Sequence, residues 1–163
     1  MEVWQPAYVG VGSNLGDPRS RVLAAFTALA AIADTRVVIT SPLYSSRPFG
    51  PVAQPDFVNA VAGLLTRLGS AQLLAQLRSV ERQFGRPERH ERWGPRVLDL
   101  DILVFGRERR QDPELTLPHP GIVERNFVLY PFADIAADLE VPGLGRVSEL
   151  KRRAVSEGLQ RLS

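Results

Sequence analysis

The chain has 163 residues, of which 44% are hydrophobic and 23% are charged, and its net charge is +2 at pH 7. This composition is typical of a folded globular domain, and so small a positive charge does not favour binding to nucleic acid. The sequence contains no cysteine, which excludes disulfides, thiolate zinc sites and cysteine nucleophiles.

The sequence also bears on cellular location. No apolar run approaches the ~20 residues of a membrane span, and the first residues lack the basic and apolar regions of a secretory signal. We therefore expect a single domain over residues 1–163 that works in the cytoplasm without a membrane partner.

Lys151 is the only lysine and lies in the C-terminal tail, which argues against a P-loop or a Schiff-base lysine.

The predicted elements alternate between strands and helices up to residue 105. Asp17 followed by Pro18 is typical of a helix start, and Pro42 within a β-branched run indicates a sheet edge or an irregularity. The spacing of apolar residues gives the other assignments. In chain order we predict a strand at 7–12, a helix at 18–33, strands at 35–44 and 57–68, a helix after Gly69 that ends at Gly85, and a strand at 97–105.

This β-α-β-β-α-β order predicts an α+β, ferredoxin-like antiparallel sheet with both helices on one face. The other face needs a cover, which we expect from a C-terminal extension that begins at Gly106. Two further helices are predicted within that extension, at 127–138 and near 147–159. Segments 45–56 and 86–96 are predicted loops.

The most informative motif is a pair of acids in the last predicted strand. Because alternate side chains share a face, Asp99 and Asp101 are expected side by side, with Cα atoms roughly 6.5 Å apart. Leu100, Ile102 and Val104 are expected to fill the other face. A solvated edge with salt bridges to nearby arginines is one interpretation, but the apolar flanks favour a metal site. Two divalent ions bridged by such a pair suit phosphoryl chemistry.

Three other features have both a structural and a functional interpretation. The glycines Gly10 and Gly12 almost match a dinucleotide fingerprint, but Leu15 replaces the third glycine, so we interpret them as room for close backbone approach. His119 lies between two prolines and is either structural or, with Arg125 nearby, a phosphate contact. Aromatic residues beside predicted loops are either core or a slot for a flat heterocycle. These aromatic residues are Phe49, Phe57, Trp93 and Phe127.

Together these segments resemble the 6-hydroxymethyl-7,8-dihydropterin pyrophosphokinase family over nearly the whole chain. The matching segments are 8–16, 50–59, 92–103, 117–120 and 125–127. The resemblance implies transfer of diphosphate from ATP to the pterin hydroxymethyl group in folate biosynthesis, with release of AMP. It implies ATP as co-substrate, two Mg²⁺ ions as cofactor, and ATP and hydroxymethyldihydropterin as the small-molecule substrates. We expect a monomer without a nucleic-acid partner.

The resemblance also implies roles for individual residues. Asp99 and Asp101 would hold the magnesium ions and, with Arg86 and Arg96, form the catalytic set. The implied pterin contacts are Ser46, Phe49, Phe57, Asn59, Trp93, Asp99 and Phe127. The implied ATP contacts are Glu81, Arg86, Trp93, Arg96, Ile102, His119 and Arg125. The chain departs from the familiar family pattern at Arg78, where a glutamine is common, and at Arg47, where a proline is common.

Two other functions fit parts of the sequence. An RNA-binding module shares the predicted β-α-β-β-α-β order, but it would carry aromatic residues on a central strand, where this chain has acids. A two-metal hydrolase would also use the acid pair. No general base is evident, and our hypothesis is that the attacking hydroxyl loses its proton to an aspartate or to water.

Overall fold

The computed structural model describes residues 3–48, 50–51, 53–85 and 97–162. The helices are α1 (Pro18–Ala30), α2 (Ser70–Gln83), α3 (Asn126–Ala136) and α4 (Val147–Arg153), and a 3-10 turn spans Ile122–Glu124. The strands are β1 (Gln5–Ser13), β2 (Thr35–Thr40), β3 (Tyr44–Ser46), β4 (Phe57–Thr66), β5 (Asp99–Phe105), β6 (Arg110–Gln111), β7 (Thr116–Leu117), β8 (Glu140–Val141), β9 (Gly145–Arg146) and β10 (Leu159–Arg161). Within the described ranges, no helix is long and apolar enough to cross a bilayer.

Over the described residues, the main sheet is antiparallel and has six strands. Strand β4 pairs with β1, and β1 pairs with β5 on its other side. On the far side of β4 lie β2 and β3, and β10 pairs with β3. This strand order is that of the βαββαβ plait, so the predicted ferredoxin-like α+β fold is confirmed.

The edge formed by β2 and β3 is interrupted at Pro42, as the sequence predicts. A single strand was predicted at 35–44, but the structure has two short strands separated by three residues. Ser41 bridges the break, because its N–H donates to the Val61 carbonyl at 2.9 Å and its Oγ accepts from the Val61 N–H at 2.9 Å. The proline therefore sits where no ladder hydrogen bond is required of it. The predicted loop at 45–56 starts two residues later, because β3 continues to Ser46.

Apolar side chains cover both faces of the sheet, but with different partners. On the first face, the residues of β1 and β4 that include Val9 and Leu64 pack against α1 and α2. On the second face, Val61 and Leu103 pack against α3 and α4. Phe132 of α3 is fully buried in this second core. The C-terminal extension therefore covers the second face, as predicted.

The predicted face of Val104 is wrong. The pairing of β1 with β5 shifts register between Tyr8 and Val9, so Leu103 is an extra residue opposite them. Such a bulge breaks the strict alternation of side chains. Consequently Leu103 and Val104 both belong to the second core, whereas Leu100 and Ile102 belong to the first as predicted.

The predicted helix at 147–159 is also wrong over its second half. Helix α4 ends at Arg153, and residues 159–161 form β10 at the outer edge of the sheet. Ala154, the residue after the helix, is extended with φ −85° and ψ 146°, so the helical path ends there. Gly158, just before β10, has φ +76°, a left-handed conformation that favours glycine. Helix α1 also ends earlier than predicted, at Ala30, and its Leu23 is 50% exposed.

Candidate active site

The second face of the sheet carries a row of residues across three neighbouring strands. Gly12 of β1 lies opposite Asn59 of β4 on one side and opposite Asp99 of β5 on the other. In the next row, Gly10 lies between Val61 and Asp101. Because adjacent strands are about 4.8 Å apart, the Cα atoms of Asn59 and Asp99 are separated by roughly 10 Å. The two glycines therefore form an open floor between an amide wall and an acidic wall.

Gly12 is required by the close approach of Asn59. A Cβ at position 12 would lie 2.8 Å from the Asn59 Oδ1 and 3.9 Å from a ring carbon of Phe57. A Cβ at Gly10 would meet the side chain of Leu103 at 3.4 Å, which is an ordinary van der Waals distance. The glycine at position 12 thus keeps the floor open, in agreement with the interpretation as room for close backbone approach.

The amide wall brings together three of the predicted pterin contacts. Strand β3 pairs with β4 so that Ser46 lies opposite Phe57. The buried Asn59 donates from Nδ2 to the Ser46 Oγ at 2.8 Å. This hydrogen bond fixes the amide plane and leaves Oδ1 toward the glycine floor. Phe127 lies at the start of α3, the helix that covers this face, and the Arg125 guanidinium is 5.8 Å from the centre of its ring.

The acidic wall holds two carboxylates on one face, as the sequence predicts. Burial, followed by the negative charge of Asp99, raises the pKa of Asp101 to about 7. The Asp101 side chain nevertheless stays 29% exposed, so it opens onto the site. Two repelling carboxylates that remain accessible favour a bound cation or a bound proton.

His119 stands beside the acidic wall in a fixed orientation. Its backbone N–H donates to the Leu103 carbonyl at 2.9 Å, and its Nδ1 accepts from the Gly121 N–H at 3.0 Å. Burial, followed by the charge of Arg125, lowers the pKa of His119 to about 4. The ring is therefore neutral at pH 7 and carries its proton on Nε2, which lies 3.8 Å from an Asp101 oxygen.

The outer edge of β5 is covered by two charged residues of α2. Glu81 is 3% exposed and accepts from the Leu100 N–H at 2.8 Å. Arg78 donates from Nη1 to Glu81 at 2.8 Å and to the Leu100 carbonyl at 3.0 Å. The arginine is partly exposed, and its charge reaches the site, because it lowers the pKa of both Asp101 and His119. From the sequence, Arg78 was named as a departure from the family pattern but was not included among the ATP contacts, although its i, i+3 spacing from Glu81 was a usable signal.

Two buried residues at the end of β1 anchor the segments that enter the site. Ser13 donates from Oγ to the Val97 carbonyl at 2.5 Å, just before β5. Asn14 donates from Nδ2 to Gln54 at 2.7 Å and to the Pro55 carbonyl at 3.0 Å, just before β4. Both anchors went unassigned in the sequence, because their partners are 40 or more residues away.

A family model described as 7,8-dihydro-6-hydroxymethylpterin-pyrophosphokinase matches residues 8–137. The chain belongs to this family. It is 48% identical over 158 residues to the 2-amino-4-hydroxy-6-hydroxymethyldihydropteridine pyrophosphokinase of Pseudomonas aeruginosa, covering 97% of each chain. It is 41% identical to the enzyme of the same name from Haemophilus influenzae, covering 96% of this chain and 98% of that one.

Solved structures agree on the fold. The wild-type HPPK-DHPS of Plasmodium falciparum superposes with a TM-score of 0.75 at 13% identity, covering 99% of this chain and 47% of that one. This chain thus spans about half the length of that protein. At such low identity the likeness shows the fold alone.

The family membership establishes the reaction. Its enzymes transfer diphosphate from ATP to the hydroxymethyl group of 6-hydroxymethyl-7,8-dihydropterin in folate biosynthesis, and this chain is an ATP-dependent diphosphotransferase acting on these small molecules. The RNA-binding and hydrolase interpretations of the sequence are therefore set aside.

The structure places the predicted site residues unequally. It gathers Ser46, Phe57 and Asn59 at the amide wall, and it brings Asp99, Asp101 and His119 together at the acidic wall. The Ile102 side chain is 2% exposed within the first core, on the opposite face. Phe49, Arg86, Trp93 and Arg96 lie outside the described residues.

Proposed function

We propose that the pterin lies on the glycine floor and the ATP phosphates lie over the acidic wall. The row formed by Asn59, Gly12 and Asp99 carries this proposal. The Cα atoms that carry a hydrogen-bonding amide and a member of the charged pair are roughly 10 Å apart on one face, with an open floor between them. That spacing suits a bicyclic ring whose hydroxymethyl group points toward the carboxylates.

The acidic wall suits two Mg²⁺ ions. Asp99 and Asp101 offer carboxylate oxygens, which are the ligands that magnesium prefers, and their mutual repulsion is relieved by a cation. Within residues 3–48, 50–51, 53–85 and 97–162, no group of three or more acids, histidines or cysteines is arranged to hold a metal. The remaining ligands would therefore come from phosphate and water. When bound, the ions supply positive charge that neutralises the phosphate oxygens.

The amide wall would recognise the pterin. Asn59, held by Ser46, presents Oδ1 to the N–H groups on the ring edge. Phe57 and Phe127 would stack on the two sides of the ring, because a planar heterocycle binds well between aromatic faces. Phe49 and Trp93, which lie outside the described residues, would complete this slot.

Cations and one neutral donor would hold ATP. His119 donates from Nε2, and Arg125 adds a fixed positive charge beside it. Glu81 is buried against the edge of β5, so we propose that it acts on ATP through the Arg78 that it holds. Ile102 would contribute backbone groups rather than its buried side chain.

In the transfer, the hydroxymethyl oxygen forms a bond to the β-phosphorus and loses its proton to an aspartate or to water. The bond from that phosphorus to the bridging oxygen breaks, and AMP leaves with the electron pair. Arg86 and Arg96, together with Arg125, would stabilise the charge that develops on the bridging oxygen. The chain itself thus contributes mainly orientation and charge, which is typical of phosphoryl transfer.

The test is AMP formation by Asp99→Asn and Asp101→Asn at increasing magnesium concentration, with the pterin alcohol and ATP present. Each substitution keeps the side-chain shape and removes a charge, so we expect losses of several orders of magnitude with an intact fold. The exposed Asp138→Asn is the matched control and should retain wild-type turnover. Near-normal turnover of either site variant at saturating magnesium would contradict the two-metal assignment.

We also propose that the chain acts as one domain, as a monomer and in the cytoplasm, without nucleic acid. Its substrates are small molecules, and its site is assembled from strands of one sheet. Light scattering after gel filtration should give the mass of one 18.0 kDa chain with and without ligands.

A further inference from the structure

The segment 155–162, here called the C-terminal strap, joins two parts of the molecule that the sequence keeps far apart. One part is the start of α3, which carries Phe127. The other part is β3, which carries Ser46. In the proposed function these two parts lie on opposite sides of the pterin. Nothing in the reaction assigns a task to the strap itself.

Asn126 holds one end of the strap. Its Nδ2 donates to the Val155 carbonyl at 2.8 Å and to the Glu157 carbonyl at 3.1 Å. Both N–H groups of one amide are thus directed at the strap backbone. Asn126 is the first residue of α3, directly between Arg125 and Phe127. Its side chain therefore fixes the N-terminal end of α3, which sets the positions of Arg125 and Phe127.

The strap is held against β3 along the rest of its length. Leu159 lies opposite Ser46, and the Arg47 N–H donates to the Gly158 carbonyl at 3.3 Å. The Leu162 N–H donates to the Leu43 carbonyl at 2.8 Å. The strap thus runs antiparallel to β3. Its paired part begins beside Ser46, whose hydroxyl orients Asn59, and ends beside the first residue of that strand.

A second connection ties α3 to β3 at the other end of the helix. The buried Tyr44 of β3 donates its hydroxyl to Asp134 of α3. Burial, followed by that hydrogen bond, raises the pKa of Tyr44 to about 12, so it remains a donor at neutral pH. Because Asp134 lies about two turns beyond Phe127, this bond leaves the N-terminal end of α3 to be fixed by Asn126.

We propose that Asn126 is a positioning residue for the pterin. Through the strap, it sets the separation between the Phe127 ring and the amide wall that Ser46 and Asn59 form. A ring held between two surfaces binds tightly only if their spacing is fixed before binding, since ordering the walls otherwise costs binding free energy. This inference rests on the proposed placement of the pterin.

The experiment compares Asn126→Ala and Asn126→Asp. The aspartate keeps the shape of the side chain but has no N–H to donate, so both variants should lose the two hydrogen bonds. We expect roughly tenfold weaker pterin binding by calorimetry, which corresponds to about 1.4 kcal/mol of binding free energy. The affinity for a non-hydrolysable ATP analogue should stay unchanged. In steady-state kinetics KM for the pterin should rise while KM for ATP does not, a split that general destabilisation would not produce.

Val155→Ala is the matched control, because that side chain is 72% exposed and its backbone carbonyl is kept. It should bind both ligands as the wild type does. Gly158→Ala perturbs the strap at its other contact, since an added Cβ would lie 3.3 Å from Arg47 at a left-handed φ of +76°. It should show the same selective loss of pterin affinity, and it serves if the Asn126 variants do not fold.

Phe127→Ala distinguishes a failure of the proposed pterin slot from a failure of the positioning role of Asn126. If Phe127→Ala leaves pterin affinity unchanged, the proposed pterin slot is wrong. If Phe127→Ala weakens the pterin but the Asn126 and Gly158 variants do not, the slot stands and the positioning role is overturned. Equal losses for the pterin and the ATP analogue in the Asn126 variants would likewise overturn it.

Discussion

The two faces of the central sheet use the same strands for opposite purposes. The first face is closed by α1 and α2 over a continuous apolar core. The second face is only partly covered by α3 and α4, and the rest is a floor of Gly10 and Gly12 between polar walls. Because side chains alternate along a strand, one strand can supply core residues to the first face and site residues to the second. The plait thus provides stability and chemistry on separate surfaces of one sheet.

Strand β5 shows the difference between the two faces at neighbouring residues. Leu100 is fully buried in the first core, whereas Asp101, the next residue, is partly exposed on the second face. Burial of Asp101 beside Asp99 raises the pKa of its carboxyl group and makes its ionised form costly. Functional sites commonly violate the rules that stabilise a core and rely on the surrounding structure to hold them. Variants on the two faces should therefore fail in different ways.

The largest effect on stability is expected on the first face. Leu77 of α2 is fully buried in the first core, and Leu77→Ala removes apolar contacts and leaves a cavity. We expect a loss of about 2–5 kcal/mol in the free energy of unfolding, measured with urea. The ratio of pterin to ATP affinity should be unchanged in the folded fraction, because this side chain does not face the site.

Leu23→Ala on α1 is the control for that substitution, since Leu23 is 50% exposed. It should change the unfolding free energy by no more than about 0.5 kcal/mol. A large selective loss of pterin affinity in Leu77→Ala would mean that the two faces are not independent.

The contrast between the faces also decides what the sequence can predict. The order of strands and helices follows from local periodicity, and the shared face of Asp99 and Asp101 follows from alternation, so both were predictable. The bulge at Leu103 was not, because it depends on how β5 pairs with β1, and it moved Val104 to the other core. The strand β10 was missed for the same reason, since its partner β3 is more than a hundred residues earlier.

The candidate site shows the same division. Resemblance to the family identified the residue types, but spacing along the chain did not reveal the row from Asn59 through Gly12 to Asp99, which exists only when three strands pair in register. Spacing along the chain also did not reveal that Glu81 accepts hydrogen bonds from Arg78 and from the Leu100 N–H at the edge of β5. Contacts between distant segments depend on tertiary structure, which local patterns do not contain.

The second prediction concerns the floor of the second face. In Gly12→Ala the new Cβ would lie 2.8 Å from the Asn59 Oδ1, so the amide must move from the place where it would meet the pterin. We expect a loss of about 1–3 kcal/mol in pterin binding, because the ring edge would lose its hydrogen-bond partner. Calorimetric titration with the pterin and with an ATP analogue measures the loss for each ligand.

Gly10→Ala is the control at the neighbouring position of the floor. Its Cβ would meet Leu103 at 3.4 Å, which needs no rearrangement, so pterin affinity should change little. If the two substitutions weaken pterin binding equally, then the contact with Asn59 is not what requires glycine at position 12.

The smallest effect is expected from the charge of the acidic wall in the metal-free protein. Asp101 has a pKa of about 7 in the folded chain, whereas an aspartate in an unfolded chain titrates near 3.9. Between those values the folded state binds more protons than the unfolded state, so Asp101 makes the protein less stable as pH rises from about 4 to 7. Its partial exposure lets water and salt screen part of this cost.

Asp101→Asn removes the titrating group, so the variant should gain stability relative to the wild type as pH rises from 5 to 8 in buffer with EDTA. Urea unfolding at both pH values measures that gain. Asp17→Asn is the control, because hydrogen bonds from Ser20 lower the pKa of Asp17 in the folded state, and an unfolded aspartate already titrates near 3.9, below this range. Its stability relative to the wild type should therefore not vary between pH 5 and 8.

Added magnesium should reverse the order of stability of the wild type and Asp101→Asn at pH 8, since only the wild type keeps both carboxylates for the ions. An Asp101→Asn advantage that is equal at both pH values would show that burial and the charge of Asp99 do not raise the pKa of Asp101 in the folded protein.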